Sequence, residues 1–445
     1  EVVNQKNGEW THYKRKNQFE VSFDQLWLKL ESLGLVDEKH FQSILNTGMY
    51  KYCPDTMNVT QAQHEALTSI IHTIDSGETF PHIGQGFLAR PILIEGDAGT
   101  GKTVVATTLF YYLKTHPKYK SLKIGLVYSN PAMRNVIQQV FAHTPGLRKT
   151  DVIAPIDVTK HHYDIIICDE AQRLRQAKNI GRYIVHFKKG NERLHLDNSH
   201  DELDWLLLNA GRLILFYDPK QIVCPSDISQ TKFDGRLKDR KRGIRPVELK
   251  EQMRIHAGSQ YVPYIYDILF QRNNISKKFV NYDFKLFSSF QDMWNALEEK
   301  EATVKLCRFC SGYGWPWVSK EDSKKPDIQL EGREIWWNRQ TDGWLQNPEA
   351  KLEMGSIYSL AGLDINYAAV IIGPDLIYDI KDQKIKVNRQ NYFDNKVKQG
   401  VTDEELTAFL LKTYAVLMTR GILGTYVYTC DQNLFRYLQR FIPTA

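Results

Sequence analysis

Short apolar runs alternate with stretches of helical periodicity along most of this chain. Pro91-Ile92-Leu93-Ile94, Ile165-Ile166-Ile167-Cys168 and Leu213-Ile214-Leu215-Phe216-Tyr217 are near-continuous apolar runs of strand length, as strands buried on both faces are. Asn130 followed by Pro131 caps a helix whose Met133, Val136, Ile137, Val140 and Phe141 form one stripe. From residue 58 to about 250 the alternation predicts a parallel, doubly wound sheet. A second alternating region follows. It predicts helices over 258–270 and 290–300, strands near 284–287, 303–309, 355–360 and 367–372, and a hairpin near 376–387. A closing helix starts on the capping box Thr402-Asp403-Glu404-Glu405. Ahead of all this, Phe23, Leu26, Trp27, Leu30 and Leu33 fall at helical spacing before Gly34, and a shorter helical pattern runs to Gly48.

The predicted organisation is therefore a helical lead-in over 1–57, a first α/β domain over 58–250, and a second over 251–445. The second carries a Trp/Gly-rich insertion near 311–347, and a cleft is expected between the two domains. The chain has 445 residues, 42 % hydrophobic and 25 % charged, which is ordinary for a globular protein with ample core. No apolar run is long enough to span a bilayer, so no membrane partner is expected. Six scattered cysteines fit a reduced, cytoplasmic protein. Cys307-x-x-Cys310 lacks a second pair at zinc spacing and reads as two free thiols on a strand.

Chemistry enters at residues 95–103. The strand at 91–94 empties into Gly96-x-x-x-x-Gly101-Lys102-Thr103 and then into a helix-forming segment. Strand, glycine-rich loop and helix make a backbone cradle for polyphosphate. Gly96, Asp97, Ala98, Gly99, Thr100 and Gly101 supply the cradle, Lys102 is placed for the β/γ oxygens, and Thr103 for Mg²⁺. The strand at 163–168 ends in Asp169-Glu170, 67 residues after Lys102. Asp169 is the expected second group on Mg²⁺, and Glu170 the group that orients or deprotonates an attacking water. Another apolar strand ends in Asp218-Pro219-Lys220-Gln221, where Gln221 is placed to sense the γ-phosphate or position water. A surface turn at Asp-Pro is the competing reading there.

In this order the motifs resemble superfamily 1 helicases, and most closely the Schlafen-like DNA/RNA helicase-domain family, over about residues 58–440. The resemblance implies two RecA-like P-loop domains with parallel sheets flanking an ATP cleft. It implies that Gln63, in Val59-Thr60-Gln61-Ala62-Gln63, reads adenine. It makes Asp169-Glu170-Ala171-Gln172 the Walker B motif, Asp218-Pro219-Lys220-Gln221 the third motif, Leu249-Lys250-Glu251-Gln252-Met253-Arg254 the fourth and Tyr414-Ala415-Val416-Leu417-Met418-Thr419-Arg420-Gly421 the sixth, so that Arg254 and Arg420 both reach the γ-phosphate. The fifth motif departs from the pattern. In Ser356-Ile357-Tyr358-Ser359-Leu360-Ala361-Gly362-Leu363-Asp364, Tyr358 stands where His is usual, Ala361 where a long polar side chain is usual, and Asp364 where Glu contacts nucleotide. Spacing also leaves little room for the large arm domains of processive enzymes.

Arg236, Lys238, Arg240, Lys241, Arg242 and Arg245 crowd together and could track a phosphate backbone, or form a solvated loop. Five of nine tryptophans, Trp315, Trp317, Trp336, Trp337 and Trp344, lie close together; packing onto the second sheet explains them better than base stacking. Net charge is +6, which permits an anionic partner without demanding one. The expected activity is Mg²⁺-dependent ATP hydrolysis coupled to single-stranded DNA or RNA. The resemblance adds a setting in phage defence or mobile elements. It also carries an alternative: an ATP-driven switch controlling a protein partner or a fused nuclease. A small-molecule kinase would leave the second α/β region and Arg420 without a role.

Overall fold

The computed structural model describes residues 2–6, 9–13, 52–54, 59–76, 79–81, 87–89, 91–238, 247–272, 275–339, 344, 350, 353–360 and 363–445. It divides into two compact units, 1–47 and 48–445. The described part of the first unit is an antiparallel hairpin, β1 (Val2–Lys6) and β2 (Glu9–Tyr13). The helical patterns expected over 22–48 lie outside the described residues.

The second unit begins its regular structure with α1 (Gln61–Ser76), followed by a short hairpin of β3 (Thr79–Pro81) and β4 (Phe87–Ala89). Then come β5 (Ile92–Gly96), α2 (Lys102–Thr115), β6 (Ile124–Tyr128), α3 (Pro131–His143), β7 (Val152–Ile153), β8 (Tyr163–Asp169), β9 (Ala210–Tyr217) and β10 (Val247–Leu249). Their six-stranded sheet runs β10-β5-β9-β8-β6-β7, and each neighbouring pair is parallel. Parallel strands place all their C-terminal ends on one edge, where ligands of such sheets sit. That edge holds Gly96, Asp169 and Asp218. The order also puts β9 between the strands that carry the glycine-rich loop and the Asp-Glu pair.

Local signals explain several boundaries. The Asn130 side chain accepts from the Ala132 amide at 2.9 Å, capping α3 as expected. Of the predicted α3 stripe, Met133, Ile137, Val140 and Phe141 are buried and Val136 is partly so. The core on one sheet face gathers Ile166, Phe187, Trp205, Leu206 and Phe233.

The chain crosses to a second sheet through residues 250–260. There follow α4 (Tyr261–Leu269), β11 (Asp283–Leu286), α5 (Phe290–Val304), β12 (Cys307–Ser311), β13 (Ile328–Leu330), β14 (Arg333–Trp337), β15 (Glu353–Gly355) and β16 (Ile365–Ile372). The hairpin of β17 (Leu376–Asp379) and β18 (Lys384–Val387), α6 (Asp403–Met418), β19 (Gly421–Thr429) and α7 (Gln432–Leu438) complete the unit. The seven-stranded sheet runs β11-β19-β16-β12-β15-β14-β13, parallel except for β13 against β14. The architecture is α/β, with two RecA-like sheets in one compact unit.

Two differences from the sequence reading have local causes. The strand expected over 355–360 stops at Gly355, because Ser356 and Ser359 divert the backbone. Ser356 N donates to the Ser359 hydroxyl at 2.7 Å, and Leu360 N to Ser356 O at 3.2 Å, which makes a turn. The Trp/Gly-rich stretch forms β13 and β14. Trp337 and Trp344 are buried core residues, while Trp336 and Trp317 sit beside Arg339 and Lys320. Cys307 and Cys310 are free and buried on β12.

Candidate nucleotide site

The loop after β5 has the backbone that polyphosphate binding needs. Gly99 and Gly101 take φ of +87° and +84°, which L side chains rarely adopt. Both are also approached closely. A Cβ on Gly99 would lie 2.0 Å from Gln252 Oε1, and one on Gly101 2.2 Å from Gln63 Nε2. Lys102 opens α2 and folds back over the loop, donating to Gly96 O at 2.6 Å and Asp97 O at 3.0 Å. Its ammonium lies 3.6 Å from Asp218 Oδ2. Burial pushes the Asp218 carboxyl up, while Lys102 and the Gln221 amide pull it back. Gln221 Nε2 donates to Asp218 Oδ2 at 2.8 Å, so the third-motif glutamine is held beside the Lys102 ammonium.

Asp169 ends β8 fully buried. Its Oδ1 accepts from Glu170 N at 2.9 Å, and its Oδ2 has no hydrogen-bond partner among the described residues. Burial and the Glu170 charge push its pKa up to about 6. The Thr103 hydroxyl and Lys102 lie near enough to oppose that shift. A buried carboxylate oxygen left open beside a threonine hydroxyl suits a hard cation that keeps most of its waters. Thr103 and Asp169 therefore fit Mg²⁺. Among the described residues no group of three or more His, Cys, Asp or Glu side chains could hold a metal ion alone.

Glu170 sits at φ +54°, a left-handed conformation costly for a residue with a Cβ. The strain turns the chain so that its carboxylate accepts from Gln172 Nε2 at 2.5 Å. Gln172 Oε1 in turn accepts from Asp218 N at 3.1 Å. One buried amide thus ties the Walker B end to the third motif.

The arginines arrive from the far side. Arg254 Nε faces Asp364 Oδ1 at 2.5 Å, both side chains largely buried, and Arg254 Nη1 lies 3.5 Å from Thr419 O. Arg420, in the link between α6 and β19, is 4 % exposed, and its Nε has no hydrogen-bond partner among the described residues. Burial and the neighbouring Arg254 lower its pKa to about 10, against the pull of Glu170 and Asp364. Two guanidiniums and the Glu170 carboxylate therefore share one neighbourhood. Tyr52, 3 % exposed, belongs to it too. Burial and the Asp364 and Asp169 charges hold its phenol well above the usual range, against the pull of Arg254 and Arg420.

Gln63 takes part differently from a free base reader. Its Oε1 accepts from Thr60 N at 3.1 Å, fixing it against the start of α2 beside Gly101. Tyr358 of the fifth motif is partly buried, its ring 6.5 Å from that of Tyr313, while Ala361 and Gly362 lie outside the described residues. Of the basic run, 239–246 lie outside the described residues. Arg236 is ion-paired with Asp204 at 3.1 Å and faces Asp201 at 3.8 Å.

Sequence reading assigned no role to Gln252, Gln172 or Tyr52. Gln252 Nε2 donates to Ala98 O at 2.8 Å, and Met253 N to Gly99 O at 2.8 Å, clasping the loop from the segment that crosses between sheets. Gln172 and Gln252 stand inside quoted motifs, which was their signal. Tyr52 had none.

Among the described residues no helix is long and apolar enough to cross a membrane. The family model of the Schlafen group 3 DNA/RNA helicase domain matches residues 90–431. The chain is similar to an uncharacterised Saccharomyces cerevisiae protein, YPL245W, at 27 % identity over 393 residues, which is 78 % of this chain and 83 % of the yeast protein. The solved Pif1 helicase from Candida albicans is 10 % identical, with 84 % of this chain and 95 % of that one covered and a TM-score of 0.32. Arterivirus nonstructural protein 10, a helicase, is 12 % identical, with 79 % and 62 % covered and a TM-score of 0.35. Matched over well more than half of its length, the chain belongs to the Schlafen group 3 DNA/RNA helicase domain family.

Proposed function

We propose that this protein hydrolyses ATP and couples hydrolysis to single-stranded DNA or RNA. The observation that carries the reading is convergence. Lys102, Asp169, Glu170 and Gln221 come from the edge of the first sheet, and Arg254, Asp364 and Arg420 from segments leading into the second. Phosphoryl transfer asks for positioning and charge stabilisation, and this set supplies both. Lys102 and the loop amides hold the triphosphate, and Gln63 beside Gly101 borders the adenine side. Glu170 orients the attacking water, and Arg254 and Arg420 stabilise charge on the transferring phosphoryl group. A Mg²⁺ ion held by Thr103 and Asp169 would neutralise phosphate charge.

The test is steady-state ATP hydrolysis with and without single-stranded DNA or RNA oligonucleotides. Turnover that rises with either polymer supports the reading, and a protein that neither binds nor hydrolyses ATP refutes it. A second reading, an ATP-driven switch acting on a protein partner or nuclease, draws on Tyr358. Its ring lies toward Tyr313 within the second sheet's layer, so the fifth motif offers less to a strand. Hydrolysis indifferent to nucleic acid favours the switch. A setting in phage defence or mobile elements, and a cytoplasmic location, belong to the same proposal.

A further inference from the structure

Lys220 occupies a position to which neither the motifs nor the family match gives a task. Its Nζ lies 2.7 Å from Asp97 Oδ1 and 2.9 Å from Oδ2, a two-pronged contact from the third motif to the phosphate loop. Asp97 is integral to that loop. Its carbonyl accepts from Lys102 Nζ at 3.0 Å and from the Thr100 hydroxyl at 3.0 Å. At its other end Lys220 meets the second half of the unit. Its carbonyl accepts from the Tyr266 hydroxyl at 3.0 Å, and its ammonium lies 6.0 Å from the centre of that ring. Tyr266 is a buried residue of α4, the first helix after the crossing. The Lys220 amide donates to Asp218 Oδ1 at 3.1 Å, and Asp218 faces Lys102. One residue thus touches the loop with its side chain and α4 with its main chain.

The character of the contact matters as much as its place. The Lys220 and Asp97 side chains are 42 % and 33 % exposed, whereas Arg420 is buried. A pair that open is held weakly and exchanges readily. An ammonium on a four-carbon stem is a mobile point charge, so it follows the strongest local field. A triphosphate in the loop brings several negative charges against the single one of Asp97. On the ATP-site reading its terminal phosphate lies toward Gln221, the next residue along.

We infer that Lys220 is a terminal-phosphate sensor: it holds Asp97 in this structure, moves to the γ-phosphate when a nucleoside triphosphate binds, and passes that exchange to Tyr266 on α4. The inference rests on the ATP-site reading above and adds to it how triphosphate is told from diphosphate. With a diphosphate, Lys220 stays on Asp97.

The test measures dissociation constants of fluorescent ATP and ADP analogues for the full chain and for Lys220→Met, Lys220→Arg and Asp97→Asn. Lys220→Met should weaken ATP by about tenfold, the worth of one charge-assisted hydrogen bond, and leave ADP within about twofold. Asp97→Asn releases the ammonium and should tighten ATP severalfold relative to ADP. Lys220→Arg should restore most of the ATP preference. Equal changes for both nucleotides, or none, overturn the inference and leave Lys220 a brace on the loop. An unsubstituted chain that binds neither nucleotide instead overturns the ATP-site reading, and this inference with it. The wild-type measurement tells the two failures apart.

Discussion

Arg254 and Asp364 face each other with Nε and Oδ1 2.5 Å apart, each side chain about one-eighth exposed. Arg254, which we propose reaches the γ-phosphate, is therefore already engaged by Asp364, which stands where the resemblance expects glutamate. Removing one partner of a largely buried pair leaves an uncompensated charge, here beside Arg420 as well. Asp364→Asn should cost about 1–3 kcal/mol of stability. ATP would then offer Arg254 its missing anion, so the ATP-induced rise in melting temperature should be larger in the variant than in wild type. Equal rises would mean that Arg254 does not reach the phosphate.

Lys102 and Glu170 should separate binding from chemistry. Lys102→Ala removes the cation that folds over the loop and should abolish both ATP binding and turnover. Glu170→Gln keeps the Asp169 site and the Gln172 contact, so it should bind ATP normally and turn over about 10²–10⁴ times more slowly. Loss of affinity in the Gln variant would show that Glu170 is part of the binding site and not only of the reaction.

Arg420 makes a sharper case because a structural explanation competes. Its position just after α6 would suit an arginine capping the last helical carbonyls. Its Nε nonetheless finds no hydrogen-bond partner among the described residues, and Glu170 is among the charges that act on it. Arg420→Ala should retain most ATP affinity and lose about 10³–10⁵ in turnover, as removal of an arginine acting on the transferring phosphate does. A variant that hydrolyses ATP normally but melts slightly lower would return the residue to helix capping.

Asp375 gives the pH dependence. It is fully buried, its Oδ1 accepts from the Tyr414 hydroxyl at 2.7 Å, and burial pushes its pKa up to about 7 despite that bond. An unfolded aspartate titrates near 4, so between about pH 4 and 7 the folded chain holds a proton that the unfolded chain does not. Stability from this group is complete below that window and is lost as pH rises through about 7. Urea unfolding should show wild type losing about 1–3 kcal/mol between pH 5 and 8 relative to Asp375→Asn, which has no proton to lose. Parallel pH profiles for the two proteins would rule this out.

What the sequence made legible was local. The phosphate loop, the Asp-Glu after β8 and the caps at Asn130 and Thr402 are patterns within a few residues, where glycine conformation and hydrogen-bonding side chains leave few choices. The alternation of apolar runs gave both parallel sheets for the same reason. What stayed hidden depends on distant partners. Gln252 reaches Ala98 across 154 positions and Lys220 reaches Asp97 across 123, and no periodicity encodes either contact. The turn at Ser356 was misjudged as strand because hydroxyls competing for backbone amides leave the apolar pattern unchanged. Residues 239–246 of the basic run and the helical patterns over 22–48 fall outside the described residues, so their readings stay as expectations.

The clasp of Gln252 and Met253 on the phosphate loop has a consequence for how the two sheets can be handled as parts. Both residues lie in the covalent passage between the sheets, a few positions beyond β10 and before α4. The connector is thus also part of the wall of the cradle. Splitting the chain between residues 250 and 260, or inserting a flexible spacer there, would not yield two independent modules waiting to be rejoined. It would cut the loop's own support, and the first sheet expressed alone would carry the glycine-rich sequence without the shape that makes it a phosphate cradle.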